Sequence, residues 1–296
     1  MERHTGLANS TAKGADWGDM GRALIIGKDS PLTAALQTNE LLRGHELERC
    51  GGDVEALCAV RMRAFDVAVT NPSTSITEDL ALAAELCRAR PGLRIIALSP
   101  AASHEDLIAA LKAHVFACFT PPFDANEIAG MMRSALDASA WQDGIEVVSG
   151  LPHWCTLRVS SHLLTADRLV RFMTEHLTMI DEKDRDLLIA AFREMLLNAM
   201  EHGAGFDAEK VVEVTAARTA RAIVYYFRDP GGGFDRQALS HAASAPTPEE
   251  VLASAMHRAE IGMRPGGFGM LIARQVADEL VYNERGNELL LIKHLD

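Results

Sequence analysis

Short apolar runs followed by a capping residue and an amphipathic stretch recur through the first 140 residues, and this alternation limits the fold more than any other feature of the sequence. Residues 23–27 (ALIIG) lead into Asp29-Ser30-Pro31, a cap and a first-turn proline for a helix ending near Gly44. Residues 65–69 (FDVAV) precede a helix over about 77–90, stopped by Pro91-Gly92. Residues 93–98 (LRIIAL) are followed by a helix opened at Ser103. Residues 115–119 (VFACF) are followed by one opened at Asp124, with Glu127 at the capping-box spacing. A weaker strand at 46–50 follows the first helix. Such alternation predicts a doubly wound α/β domain, a parallel sheet covered on both faces with its functional edge at the strands' carboxyl ends.

From Trp141 onward the pattern changes. Residues 145–148 and 154–160 read as consecutive strands, 165–177 and 181–202 as helices, and 211–216, 222–227 and 288–293 as further strands. An antiparallel sheet with helices on one face, an α+β sandwich, is the expected packing. The chain therefore divides into a polar tail (1–21), a first domain (22–140) and a second domain (141–296), as 296 residues allow. The net charge of −12 is spread over both domains, which argues against nucleic-acid binding. No apolar run reaches the roughly 18 residues of a membrane-spanning helix, and residues 1–21 lack the apolar core of a secretory signal. The five cysteines, without C-x-x-C spacing, read as free thiols, and a cytoplasmic location is expected.

Three elements of the second domain carry chemistry. On the helix 181–202, Glu194 and Asn198 are four residues apart and share a face, with His202 one turn further along. Asp229 follows a strand and opens Asp229-Pro230-Gly231-Gly232-Gly233, where glycine lets the backbone approach a flat ligand. Gly267-Phe268-Gly269-Met270 opens a helix over 271–280, where free amides suit phosphate. Taken singly, these also read as a solvated helix edge, a glycine turn and a helix start.

In this order the three elements resemble the N, G1 and G2 boxes of the GHKL ATPase superfamily. The form Glu194-x-x-x-Asn198-Ala199-x-x-His202-Gly203 and the ending Gly286-Asn287-Glu288 are similar to the anti-sigma-factor serine/threonine kinases of bacterial partner switching. The resemblance implies ATP and Mg²⁺ as cofactors. Asp229 would read adenine, Gly231 and Gly233 would line the base pocket, and Asn198 would hold the metal. Glu194 would be the general base, and Gly267, Gly269 and Met270 would support the phosphates. It further implies a nucleotide lid over 236–265 containing a helix at 248–258, with Arg258 and Arg264 as γ-phosphate candidates that also read as solvated surface. The implied substrate is a small anti-sigma-antagonist domain, the implied partner a sigma factor, and the implied assembly a homodimer. Two alternatives remain open: an ATP-gated binding module without phosphoryl transfer, and a histidine-kinase-like ATPase.

The first domain resembles a response-regulator receiver in FDVAVTN, in Ser99 and in FTPPFDANEI, and departs from it where the chemistry lies. Asn71 stands at the phosphoacceptor position, Pro121 at the lysine position and Gly27-Lys28 at the acidic pair. This implies a degenerate receiver serving as a docking or dimerisation module, with contacts at its carboxyl-edge loops and around Pro121-Pro122-Phe123. Residues 21–29 fail as a P-loop, having five residues between the glycines and Asp29 in place of Ser/Thr. His153, Cys155 and His162 read as packed or surface positions rather than metal ligands.

Overall fold

The computed structural model describes residues 20–138, 143–151, 153–177, 180–233 and 268–295. Its first half is a five-stranded parallel sheet of β1 (Arg22–Ile26), β2 (Glu46–Cys50), β3 (Val67–Val69), β4 (Arg94–Leu98) and β5 (Ala117–Phe119), in the order β2-β1-β3-β4-β5. This is the doubly wound order of receiver-like folds. Strands β3, β4 and β5 are buried at every position, as helices on both faces require. Ile25, Val69 and Met132 fill one side of the sheet; Leu24, Ile26, Phe65 and Leu86 fill the other.

The helices of this half are α1 (Pro31–Gln37), α2 (Asp53–Met62), α3 (Ile76–Ala89), α4 (His104–Lys112) and α5 (Ala125–Asp137). Reciprocal side-chain bonds at Ser30/Thr33, Ser75/Glu78 and Ser103/Asp106 cap α1, α3 and α4. The first helix is shorter than its sequence pattern: α1 ends at Gln37, and Asn39 caps a separate 3₁₀ turn, Glu40–Leu42. Asp124 caps α5 through the Asn126 and Glu127 N–H groups, but the Glu127 carboxylate turns away to Arg171, 2.8 Å distant.

The second half is a six-stranded antiparallel sheet of β6 (Ile145–Leu151), β7 (Trp154–Ser160), β8 (Val211–Arg218), β9 (Ala222–Arg228), β10 (Glu279–Tyr282) and β11 (Glu288–His294), in the order β10-β11-β9-β8-β7-β6. Alternation is clean: Cys155, Leu157 and Val159 on β7 and Ile223, Tyr225 and Phe227 on β9 point inward. They meet α6 (Leu163–His176), α7 (Glu182–Asn198) and α8 (Phe268–Val276) in one buried cluster. Two elements depart from the sequence expectation. The α-helix expected over 181–202 ends at Asn198 and is followed by a single π-type turn, Ala199–Ala204, closed by Gly205 at φ +70°. The helix expected over 271–280 ends at Val276, because Asp278 N–H bonds Ile292 O and Asp278 Oδ2 accepts from His294 N–H at 2.6 Å, drawing the next residues into the edge strand β10.

The two halves share a core. Leu107, Ile108 and Leu111 of α4, with Val115 and Cys118, belong to the same buried cluster as Ile145, Phe172 and Phe192. Gly150 allows this approach, since a Cβ there would lie 2.6 Å from Ile108 Cγ2. Arg168 of α6, 1 % exposed, fastens the junction: its guanidinium donates to the Val115 and Phe116 carbonyls, to Asp143 O and to Asp143 Oδ1. No described helix is long and apolar enough to cross a membrane.

Candidate functional site

Helix α7 is held by Leu188, Phe192, Met195 and Leu196 on its core side, which leaves Glu194 and Asn198 together on a partly buried flank. The Glu194 side chain is 20 % exposed, with an Arg193 Nη1 at 3.9 Å from Oε1. Immediately after Asn198 the helix widens into the π turn, whose Met200 carbonyl accepts from the buried Ser161 hydroxyl at 3.1 Å. Turns of this kind often mark functional positions. His202 lies within this turn and is exposed.

The same widening brings Gly203 against Asp229. A Cβ on Gly203 would lie 2.2 Å from Asp229 Cγ, and one on Gly231 would lie 2.8 Å from both Asp229 Oδ1 and Gly203 O. Both positions therefore exclude a side chain, and the Asp229 carboxylate is seated between two stretches of bare backbone. It accepts from Gly231 N–H at 2.8 Å. Burial pushes its pKa up, while that N–H and the nearby Arg285 oppose the shift. A carboxylate can take more than one donor, so the group retains capacity to accept a ligand amine.

The loop is fixed from a second side by the turn between β10 and β11. Asp229 N–H donates to Asn287 O, Asn287 Nδ2 donates to Asp229 O at 3.3 Å, and Arg285 Nε donates to Gly232 O at 3.2 Å. Asn283 Oδ1 in turn accepts from the N–H groups of Gly286 and Asn287. Gly233, at φ +80°, lies against the Arg285 carbonyl rather than Asp229; a Cβ there would stand 1.9 Å from that oxygen. Gly203, Asn283, Arg285 and Asn287 are thus positioning residues to which sequence reasoning gave no role. The usable signals were the glycine after His202 and the Asn-x-x-Gly-Asn turn spacing.

Gly269 and Met270 lie in the first turn of α8, and α8 packs along α7, with Ala273 and Val276 in the shared core. The structure therefore gathers Asp229 and Gly231 at the end of the α7 segment that carries Glu194 and Asn198, with α8 alongside. Gly267, Arg258, Arg264 and the helix expected at 248–258 lie outside the described residues. Among the described residues no group of three His, Cys, Asp or Glu forms a metal cage. His162 caps α6 by accepting from Leu164 N–H, and Cys155 is buried beneath the helices.

In the first half, Asn71 and Gly27 adjoin at the strands' carboxyl edge: a Cβ on Gly27 would be 3.6 Å from Asn71 Oδ1, which already accepts from Ser73 N–H. Asp29 is exposed and paired with Arg49, whose guanidinium also bonds Gly27 O. The buried Asp79 is bonded by Thr74. An amide beside a glycine offers neither an acyl acceptor nor a pair of metal-binding carboxylates. Next to the Pro121-Pro122-Phe123 surface, Thr120 Oγ1 donates to Glu175 of the chain's own α6, while Pro121 and Pro122 themselves are exposed.

Residues 159–293 match the family model described as the histidine kinase-like ATPase domain. No curated protein matches the chain. Solved structures similar to it include a CheY-like response regulator receiver domain protein from Methanospirillum hungatei JF-1, 22 % identical over 40 % of this chain and 94 % of that one, with a TM-score of 0.36. Another is the non-phosphorylated HemR receiver domain from Leptospira biflexa, 17 % identical over 41 % of this chain and 98 % of that one, with a TM-score of 0.37.

Proposed function

We propose that this chain, a receiver-like domain joined to a histidine kinase-like ATPase domain, is an ATP-dependent protein serine/threonine kinase of the anti-sigma-factor type, with a non-phosphorylatable receiver built onto it. The observation that carries the reading is Asp229 seated against the bare backbone of Gly203 and Gly231, at the end of the helix that bears Glu194 and Asn198. The close backbone approach suits a flat base, and the carboxylate accepts from the exocyclic amine of adenine. Asn198 offers a neutral oxygen to a Mg²⁺ ion that keeps its remaining ligands from phosphate and water, so a full protein cage is not required. The first turn of α8, with Gly269 and Met270, offers backbone N–H groups to the phosphates, and the expected role of Gly267 is to support them as well.

Bound ATP supplies an electrophilic γ-phosphoryl group. Glu194 accepts the proton of a serine or threonine hydroxyl as that oxygen bonds the γ-phosphorus and the β–γ bridging oxygen departs with ADP. The protein substrate is a small anti-sigma-antagonist domain, and the sigma factor is the partner whose capture changes with phosphorylation. The test is transfer from labelled ATP to candidate partner domains by the full chain and by Glu194→Gln. Retained ATP binding with at least about a hundredfold slower transfer supports the carboxylate as base. Equal rates would make Glu194 structural, and ATP binding with no transfer to any hydroxyl-bearing partner would leave an ATP-gated binding module.

A further inference from the structure

Beneath the loop that joins β3 to α3 lies a carboxyl group that the proposed chemistry does not use. Asp79, in the first turn of α3, is 2 % exposed. Thr74 Oγ1 stands 2.7 Å from its Oδ1, and its Oδ2 has no partner in bonding geometry. The same Thr74 oxygen stands 2.6 Å from Asn71 O, the carbonyl that also accepts from Thr74 N–H. A hydroxyl has one hydrogen and cannot donate along both of these short contacts, so one of the two oxygens it meets must carry a proton of its own. Asn71 O is a backbone carbonyl and carries none. The proton therefore sits on Asp79: its carboxyl O–H donates to Thr74 Oγ1, and the Thr74 hydroxyl donates to Asn71 O. The surroundings favour the neutral acid. Among the described residues no cation faces it; Asp53 of α2 and Glu78 of α3 are of like charge, and Thr70 and Thr74 contribute uncharged hydroxyls. Cys118 of β5, on which Asp106 of α4 also acts, is a buried thiol whose own pKa is pushed up to about 12. Burial pushes the Asp79 pKa up to about 6, the two hydroxyls opposing the shift and the two acidic neighbours adding to it.

We infer that Asp79 is a proton-binding switch of the receiver-like half: the protonated carboxyl locks the loop between β3 and α3, and transfer of that proton to solvent releases it. Once the carboxyl is ionised, the Thr74 hydrogen turns to it, and the hydroxyl bond to Asn71 O is lost. The loop lies at the strands' carboxyl edge, and it contains the asparagine that leaves this edge without a phosphoryl acceptor. A proton is thus bound beside the place where a phosphoryl group has nothing to bond. Two contacts carry the change outward. Ser99 Oγ, at the end of β4, donates to Thr74 O at 3.2 Å, so the loop is tied to the segment that leads into α4. Ile76 and Leu80, on either side of Asp79 along α3, pack in the core cluster shared with the second half. The inference stands whether or not the chain transfers phosphate.

Carboxyl carbon NMR of the full chain labelled at aspartate tests it, together with hydrogen exchange of the Ser73 and Thr74 amides, both of which bond Asn71. The Asp79 signal, identified by its loss in Asp79→Asn, should titrate with a midpoint near 6. Between pH 5 and pH 8 the protection of the two amides, corrected for intrinsic exchange, should fall at least about tenfold with the same midpoint. Asp79→Asn, whose amide still donates to Thr74 Oγ1, should stay protected at every pH. Thr74→Val, which removes the relay, should be unprotected even at pH 5, and Thr74→Ser should restore the wild-type profile. Should a variant misfold, titration and exchange of the wild type still decide the matter. An Asp79 signal that titrates below about pH 4.5, as ordinary carboxylates do, would overturn the proposal. So would amide protection indifferent to pH in the wild type, or protection lost in a folded Asp79→Asn.

Discussion

Arg168→Met tests how the two halves are joined. The guanidinium donates from Nε to Phe116 O at 2.9 Å, and from Nη2 to Val115 O at 3.2 Å and Asp143 Oδ1 at 2.6 Å; Nη1 bonds Asp143 O. Its carbon stands 4.9 Å from the Phe116 ring centroid. Burial lowers the Arg168 pKa and Asp143 opposes that shift. Methionine fills most of the stem volume and supplies no donor. Two carbonyls leading into β5, the Asp143 carbonyl and one oxygen of a carboxylate only 17 % exposed then lose this donor at once, while the other Asp143 oxygen keeps His114 Nδ1 at 2.8 Å. Such a loss costs about 3–5 kcal/mol, well above the roughly 1 kcal/mol of a single neutral hydrogen bond. With a urea m-value of about 3 kcal/mol/M for a chain of this size, the unfolding midpoint should fall by about 1–1.7 M. Arg168→Lys, which keeps the charge but cannot fork to several acceptors, should fall in between. A midpoint within about 0.3 M of wild type at equal m would refute the view that this side chain fastens the junction.

Gly203→Ala should displace Asp229, because the new Cβ would stand 2.2 Å from its Cγ; calorimetry should show ATP affinity reduced at least tenfold, on the order of 1.4 kcal/mol. Asp229→Asn should weaken ATP binding by about 1–3 kcal/mol through loss of a charged acceptor, and unchanged affinity would remove the base-reading role. His176 packs against His104 across the junction with its pKa lowered to about 3, chiefly by burial, so the folded state binds fewer protons than the unfolded one between pH 3 and 6.5. Stability should therefore fall as pH drops below 6.5, by about 1–2 kcal/mol at pH 5, and His176→Gln should flatten that slope in urea titrations at the two pH values. Acetyl phosphate should leave the mass of the chain unchanged, since Asn71 replaces the acceptor; a stoichiometric, hydroxylamine-labile phosphate would return the first half to the phosphorylated receivers.

The strand–helix order of the first half was legible where a unit carries local punctuation, an apolar run and then a Ser or Asp cap whose bonds form within four residues; α2, which starts at Gly52 without a side-chain cap, went unread. Elements set by distant partners were not legible. β10 looks like the end of a helix until Asp278 finds His294, and Glu127 looks like a cap until Arg171 draws it away. The candidate site divides in the same manner. Glu194, Asn198, Asp229 and Gly231 stand out by spacing and residue type. The contacts that seat Asp229 depend on a π turn and on a hairpin almost sixty residues downstream, and no local pattern reports either. Arg168 gave no signal at all, being one more arginine on an amphipathic helix until burial singled it out.

The position of α6 changes what the first domain can offer a partner. Asp167, Arg171 and Glu175 are spaced four apart along this helix and so lie along one side of it. At one end Glu175, 3 % exposed, accepts from Thr120 and pairs with Arg171, which also binds Glu127 and stacks 4.6 Å from the Phe119 ring centroid. At the other end Asp167 meets Arg193, the neighbour of Glu194 on α7, at 3.2 Å. Exposed ion pairs contribute little, as at Asp167, but Glu175 and Arg171 are shielded enough that breaking them leaves charge without solvent. The α4 and β5 side of the receiver-like fold is therefore occupied within the chain, and it is packed onto the helix next to the one that carries Glu194 and Asn198. A protein that engages this side must first displace α6, so its binding would be felt at α7; one that leaves α6 in place must use another face of the first domain.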